Sequence, residues 1–97
     1  MLKTTINDRQ LIVLKGIAYR IADIHFLKER YGDDAKHEIE ASRKTLTSLF
    51  AEADKENIPF FVQNTVLCFF ENWRNYLNTD VVTYLINLNR YDIMIER

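Results

Sequence analysis

The chain has 97 residues, 47% of them apolar and 28% charged, with a formal net charge of −1. That is one domain with enough apolar content to bury a core, which excludes a disordered chain. The near-neutral balance argues against a general nucleic-acid binder, which needs clustered Lys and Arg to neutralise phosphates.

Two glycines and one proline are too few turn residues for an all-β domain. No apolar run reaches the ~18 residues of a membrane span. The opening "MLKTTINDRQ" lacks the apolar stretch and cleavage site of a signal peptide, so a cytoplasmic location is expected. Cys68 stands alone, which leaves no internal disulfide and no cysteine metal cage. Residues 1–30 carry a surplus of three positive charges and residues 31–58 a deficit of three. Compact folding is expected to pair the two blocks.

The first helix begins after Asn7, with Gln10 placed to complete a capping box and Ile6 to staple onto Leu11. It stops at Tyr31-Gly32, where glycine can leave the right-handed region. Leu11, Val13, Leu14, Ile17, Ala18, Ile21 and Ile24 share one broad face. Opposite them Ile12, Tyr19 and Phe26 recur every seven residues on the polar side, which points to a second contact surface.

A second helix runs from Asp33 or Asp34 to near Asn57, with a narrow stripe of Ala35, Ile39, Leu46, Leu49, Phe50 and Ala53 and Ser42 inside it. The third is predicted across "IPFFVQNTVLCFFENWRNYLN", residues 58–78, with Pro59 in its first turn. Val62, Val66, Phe69, Phe70, Trp73, Tyr76 and Leu77 fall on its apolar side, and Gln63, Asn64, Glu71, Asn72, Arg74 and Asn75 on its polar side. Cys68 sits at the edge of the apolar face, where a buried, inert thiol is the ordinary case.

A fourth helix should follow the "NTD" cap at residues 78–80 and run toward Ile95. The β-formers of "VVTYLI" make a strand the alternative. Helix is preferred because no second strand is evident to pair with it.

These elements predict an all-α domain spanning residues 1–97, a four-helix up-down-up-down bundle. Its last helix would pack between two layers or in a dimer interface. Residues 59–97 hold 21 apolar residues in 39, more than one face per helix can hide. A homodimer is the expected outlet.

In "HFLKERYG" the His-x-x-Lys pair His25 and Lys28 loosely resembles the histidine phosphotransfer domains of two-component relays. The resemblance implies an exposed histidine that accepts a phosphoryl group beside the lysine. Glu29 and Arg30 stand where that family has small residues, and the match covers these two residues alone. His25 also falls near the apolar face, where a core or interface histidine is the plainer reading. His37 lies on a solvated face, and no spacing of histidines and carboxylates suggests a metal site or another cofactor.

Asparagines crowd the last two helices where charges are usual: Asn64, Asn72, Asn75, Asn78, Asn87 and Asn89. Because Asn is a poor helix former, they read either as a neutral rim around a partner site or as compositional bias. Trp73, Tyr84 and Tyr91, with Ile86 and Ile93, are the candidate anchors of a charge-poor surface that binds another protein. A non-catalytic regulator, adaptor or inhibitor of the immunity type is the function this favours. Two alternatives stand beside it. One is a small-molecule sensor or carrier holding its ligand inside the bundle against Phe69, Phe70 and Trp73. The other is phosphotransfer at His25.

Overall fold

The computed structural model of the protein describes residues 4–88 and 93–96. The chain is mostly helical, in the order β1 (Thr4–Ile6), α1 (Asp8–Tyr31), a 3-10 turn (Gly32–Ala35), α2 (Lys36–Lys55), α3 (Phe60–Phe70), α4 (Trp73–Asn78), α5 (Val81–Ile86) and β2 (Ile93–Ile95). The 24-residue α1 is the spine, and every other helix packs against it.

The start of α1 is the expected capping box. The Gln10 amide donates to Asn7 Oδ1 at 2.8 Å and the Asn7 amide to Gln10 Oε1 at 3.0 Å. Gln10 also reaches out of its helix, its Nε2 donating to the Glu56 carbonyl at 2.9 Å. The start of α1 is thereby tied to the end of α2. At the far end Gly32 takes φ 55° and its amide closes back onto the Leu27 and Lys28 carbonyls.

Asp33 and Asp34 lie in the 3-10 turn rather than in α2, so the second helix opens slightly later than expected. The two long helices meet closely at Gly16, where an added Cβ would stand 3.1 Å from the Leu49 side chain. Ser42, buried within the α2 stripe as the pattern requires, donates to Asp23 Oδ2 at 2.7 Å.

α2 ends in a Schellman motif. Asn57 adopts φ 61°, the Ile58 amide donates to the Ala53 carbonyl at 3.0 Å and the Asn57 amide to that of Asp54 at 3.1 Å. Ile58 is buried beyond it. Gln63, placed on the polar side by periodicity, is buried instead. Its Nε2 donates to the Ile58 carbonyl at 2.9 Å and to Asp54 Oδ1 at 3.1 Å. The corner between α2 and α3 leaves a carbonyl facing inward, and a buried carbonyl needs a donor.

The third predicted helix is two. It breaks at Glu71-Asn72, where Asn72 Oδ1 accepts from the Arg74 amide at 3.1 Å and caps α4. Asn75 Nδ2 donates to the Phe69 carbonyl at 2.8 Å, satisfying the end of α3. The periodicity of the apolar residues runs straight across this break, which is why it is hidden in the sequence.

α5 begins as the "NTD" signal requires, with Asp80 accepting from the Thr83 amide and hydroxyl, both at 2.9 Å. It is six residues long and does not continue toward Ile95. Ile93–Ile95 form a strand paired in parallel with Thr4–Ile6, Ile6 lying opposite Ile95, and the Glu96 amide donates to the Ile6 carbonyl at 2.8 Å. The missing partner strand is thus the segment just before α1. The chain is mostly helical as expected, but three short helices and a strand follow the two long helices where two further helices were expected.

The core gathers Ile6, Leu14, Ile17, Val62, Val66, Phe70 and Leu85, each essentially inaccessible to solvent. Phe60 belongs to the same sequence stretch as Phe70 yet is 77% exposed. Phe70→Ala should therefore cost about 3–5 kcal/mol through its cavity, whereas Phe60→Ala should stay within about 0.5 kcal/mol of the parent. Urea unfolding of the two variants checks this; equal losses would mean the burial assigned to Phe70 is wrong.

Candidate functional site

Tyr19, Ala22, Asp23 and Phe26 lie three, four and seven residues apart on α1, so they share one stripe of the helix. Trp73, Tyr76 and Leu77 do the same on α4. Where the stripes face each other they line an open trough of about 230 Å³. Rings stand across it in pairs. Phe26 meets Trp73 edge to face, with centroids 5.1 Å apart at 84°, and Tyr19 meets Tyr76 at 5.9 Å. Leu77 hangs at the edge, 71% exposed.

One carboxylate ties the two walls together. Glu29 of α1 accepts from the Trp73 indole N–H and from Arg74, whose Nη2 lies 3.2 Å from Glu29 Oε1. The Arg74 guanidinium also lies 4.3 Å over the Trp73 ring. The indole hydrogen bond, then the Arg74 contacts, hold the Glu29 carboxyl below the ordinary glutamate range. The other carboxylate of the trough, Asp23, is held by the Ser42 hydroxyl, which Arg20 Nη1 approaches at 3.4 Å.

Two arginines of α1 stand over rings of its own aromatic wall. Arg20 stands 5.1 Å over Tyr19 and Arg30 5.9 Å over Phe26. Each end of the trough opens into a polar hollow. One is lined by Lys15 and residues Asn78, Thr79 and Asp80, the other by His25, Lys28, Glu71 and Asn72.

The sequence-predicted residues divide among these places. Trp73 is in the trough. Tyr84 is not: its ring stacks on Phe69 at 3.9 Å and 14°, and its hydroxyl reaches the Thr65 carbonyl at 3.5 Å. Ile86 is exposed at the end of α5, and Ile93 belongs to β2. Tyr91 lies outside the described residues. The described anchors are divided among the trough, the Phe69 stack, the end of α5 and β2.

Phe69, Phe70 and Trp73 do not enclose a cavity together. Phe70 fills the core and meets Phe69 edge to face at 4.9 Å, while Trp73 lies beyond the helix break against α1. His25 and Lys28 do come together, in the polar hollow beside Glu29 and Arg74. Among the described residues no group of His, Cys, Asp and Glu could hold a metal ion. Cys68 is exposed rather than buried, its Sγ 3.9 Å from Asn64 Oδ1.

The seven-residue recurrence of Tyr19 and Phe26 was the sequence signal for the α1 wall. Ile12, the third member of that row, is 70% exposed and does not line the trough. Tyr76 and Leu77 were assigned to the core by a continuous helix that the Asn72 cap interrupts. No protein-family model, no curated protein and no solved structure matches the chain.

Because the folded-state pKa of Glu29 is depressed, its link to Trp73 is present above the ordinary glutamate range. It is lost as pH falls through the lowered value. Trp73 is the only tryptophan, so the emission reports on its surroundings, the Glu29 contact among them. Acidification should shift the emission with a midpoint below that of a free glutamate, while the fold persists by circular dichroism. In Glu29→Gln, which accepts the bond but cannot titrate, that step should vanish; an unchanged step would assign it to another carboxylate.

Proposed function

We propose that the protein is a small non-catalytic binding module, of the regulator, adaptor or inhibitor kind, that receives an apolar stretch of another protein in the α1–α4 trough. The observation that carries this reading is the trough's lining: a Trp, two Tyr and a Phe with Leu77 exposed at the rim. Large aromatic side chains set in a concave, partly desolvated site are what concentrates binding energy at protein interfaces. The trough's volume of about 230 Å³ is below the ~300–1,000 Å³ usual for small-molecule sites and comparable to one large side chain. Phe69 and Phe70 occupy the interior that an internal ligand would need, which favours this reading over a carrier.

Self-association is the second reading. Ile12, Leu77 and Ile86 are each more than half exposed, and a homodimer would cover such residues first.

A photo-crosslinking residue at Leu77, in cells that express the chain, distinguishes the two. A discrete adduct with another protein is expected, and an adduct of twice the chain's mass would assign the trough to a homodimer. The same probe at exposed Thr47 should give neither. In the chain without the probe, Leu77→Asp should weaken affinity for the partner so identified at least ~10-fold, above the ~1 kcal/mol that most interface side chains cost when truncated. Absence of any adduct at position 77 would sink the binding reading.

A further inference from the structure

We infer that the outer edge of β2 is a pairing site for β2 of a second copy of this chain, an interaction separate from the trough. The phase of the β1–β2 ladder is the first argument. Alternate residues of a strand turn their N–H and C=O groups to opposite sides. The Glu96 amide bonds the Ile6 carbonyl, and Ile6 lies opposite Ile95. Met94 and Glu96 therefore turn their backbone groups toward β1, while Ile93 and Ile95 turn theirs outward. Among the described residues the sheet has two strands, and none lies along that outer edge.

The outer edge of β1 is not equivalent. Thr5 faces out, but at the next outward position, Asn7, Gln10 Oε1 accepts from the amide and the Leu11 amide donates to the carbonyl. The capping box of α1 closes that edge, and β2 is left as the open one.

What the open edge would accept follows from its own pattern. Ile93–Ile95 carries no lysine or proline of the kind that guards exposed edges, and shortness is its protection. A twofold axis through Met94 would set an antiparallel copy so that Ile93 meets Ile95 of the second copy, and Ile95 meets its Ile93. Each of those pairs exchanges two N–H···O=C bonds, so the outward backbone groups of both isoleucines are bonded in both copies.

The side chains fit the same axis. Ile93 and Ile95 are half-buried against the core, and a strand laid alongside would cover part of what they still show, isoleucine on isoleucine. Met94, 46% exposed, would lie against Met94 of the second copy. Two short strands by themselves hold little structure, whereas three or more with an apolar face are the stable case. The pairing would make a sheet of four. Asp92 and Glu96, which flank β2 in the sequence, would be drawn together across the axis, a like-charge cost that keeps the association weak. An unrelated strand would have to bring the apolar match that β2 supplies to itself, and twofold dimers are the commonest oligomers.

Cysteine cross-linking tests this, in a Cys68→Ser chain because Cys68 is exposed. Residues opposite each other in a non-hydrogen-bonded antiparallel pair have Cα atoms ~4.5 Å apart, within disulfide range. Met94→Cys should therefore give a disulfide-linked dimer under mild oxidation. Thr5 is also exposed and lies opposite Met94 on β1. In the four-stranded sheet the two copies of Thr5 would be three strand spacings apart, ~14 Å, so Thr5→Cys should cross-link at least ~10-fold more slowly. Sedimentation equilibrium of the parent chain should show a reversible dimer. Met94→Lys should weaken it ~5-fold or more, since two ammonium groups face each other only in the dimer. Because Met94 is exposed, the circular dichroism of that variant should match the parent. Leu77→Asp should leave the equilibrium unchanged.

Equal cross-linking rates at positions 94 and 5 would mean random collision and overturn the pairing. A dimer that Leu77→Asp abolishes and Met94→Lys does not touch would also overturn it, by moving self-association to the trough. So would a chain that stays monomeric and reacts no faster at position 94, whatever the crosslinking at position 77 shows for the trough.

Discussion

Two asparagine side chains at the Phe70–Trp73 bend decide where the aromatic residues of this protein go. Phe70 and Trp73 are three residues apart, so an unbroken helix would put them on the same face, both toward the core. Asn72 instead caps a new helix through the Arg74 amide, and Asn75 takes up the Phe69 carbonyl that the old helix leaves behind. Phe70 stays inside, and Trp73 is released against Phe26 of α1. Without those two bonds the backbone groups at the bend would lack partners, and the trough would lose its second wall.

This also accounts for much of the asparagine enrichment. Asn72 and Asn75 act at the bend, Asn78 donates from Nδ2 to the Arg74 carbonyl at 2.9 Å, and Asn7 and Asn57 serve the ends of α1 and α2. Short polar side chains that reach their own backbone are unfavourable inside a helix and favourable at its ends. A run of them marks frequent helix ends, which is how the last third of the chain is built. The neutral-rim explanation is not required for Asn72, Asn75 and Asn78.

What was legible in the sequence is what local chemistry controls. The capping box at Asn7, the stop at Gly32, the Asp80 cap and the buried Ser42 in the α2 stripe all follow from residues within a turn or two of one another. The features that escaped depend on distant partners. β2 forms because Thr4–Ile6 offers a strand almost ninety positions earlier, and nothing near Ile93 announces it. Gln63 is buried because the Schellman turn leaves the Ile58 carbonyl facing inward. The trough was half visible: Tyr19 and Phe26 stand out on a polar face, but their partners were hidden by an apolar rhythm that continues through the break.

The two walls are held in unlike ways, and this bears on how the trough can work. α1 is a long helix fixed by contacts with every other helix. α4 has six residues, far fewer than a helix needs to persist through its own hydrogen bonds. Its position depends on the asparagine bonds at the bend, on Tyr76 lying between Phe70 and Tyr19 at 6.0 and 5.9 Å, and on the Glu29 bridge to Trp73 and Arg74. Tyr76 anchors the middle of that wall to the core, so its closest approach to α1 is set by packing. The Glu29 bridge is exposed and electrostatic, screened by salt and released by acid. A trough with one rigid wall, one anchored point and one weak latch can admit side chains of different size by yielding at the Trp73 end while the core stays closed.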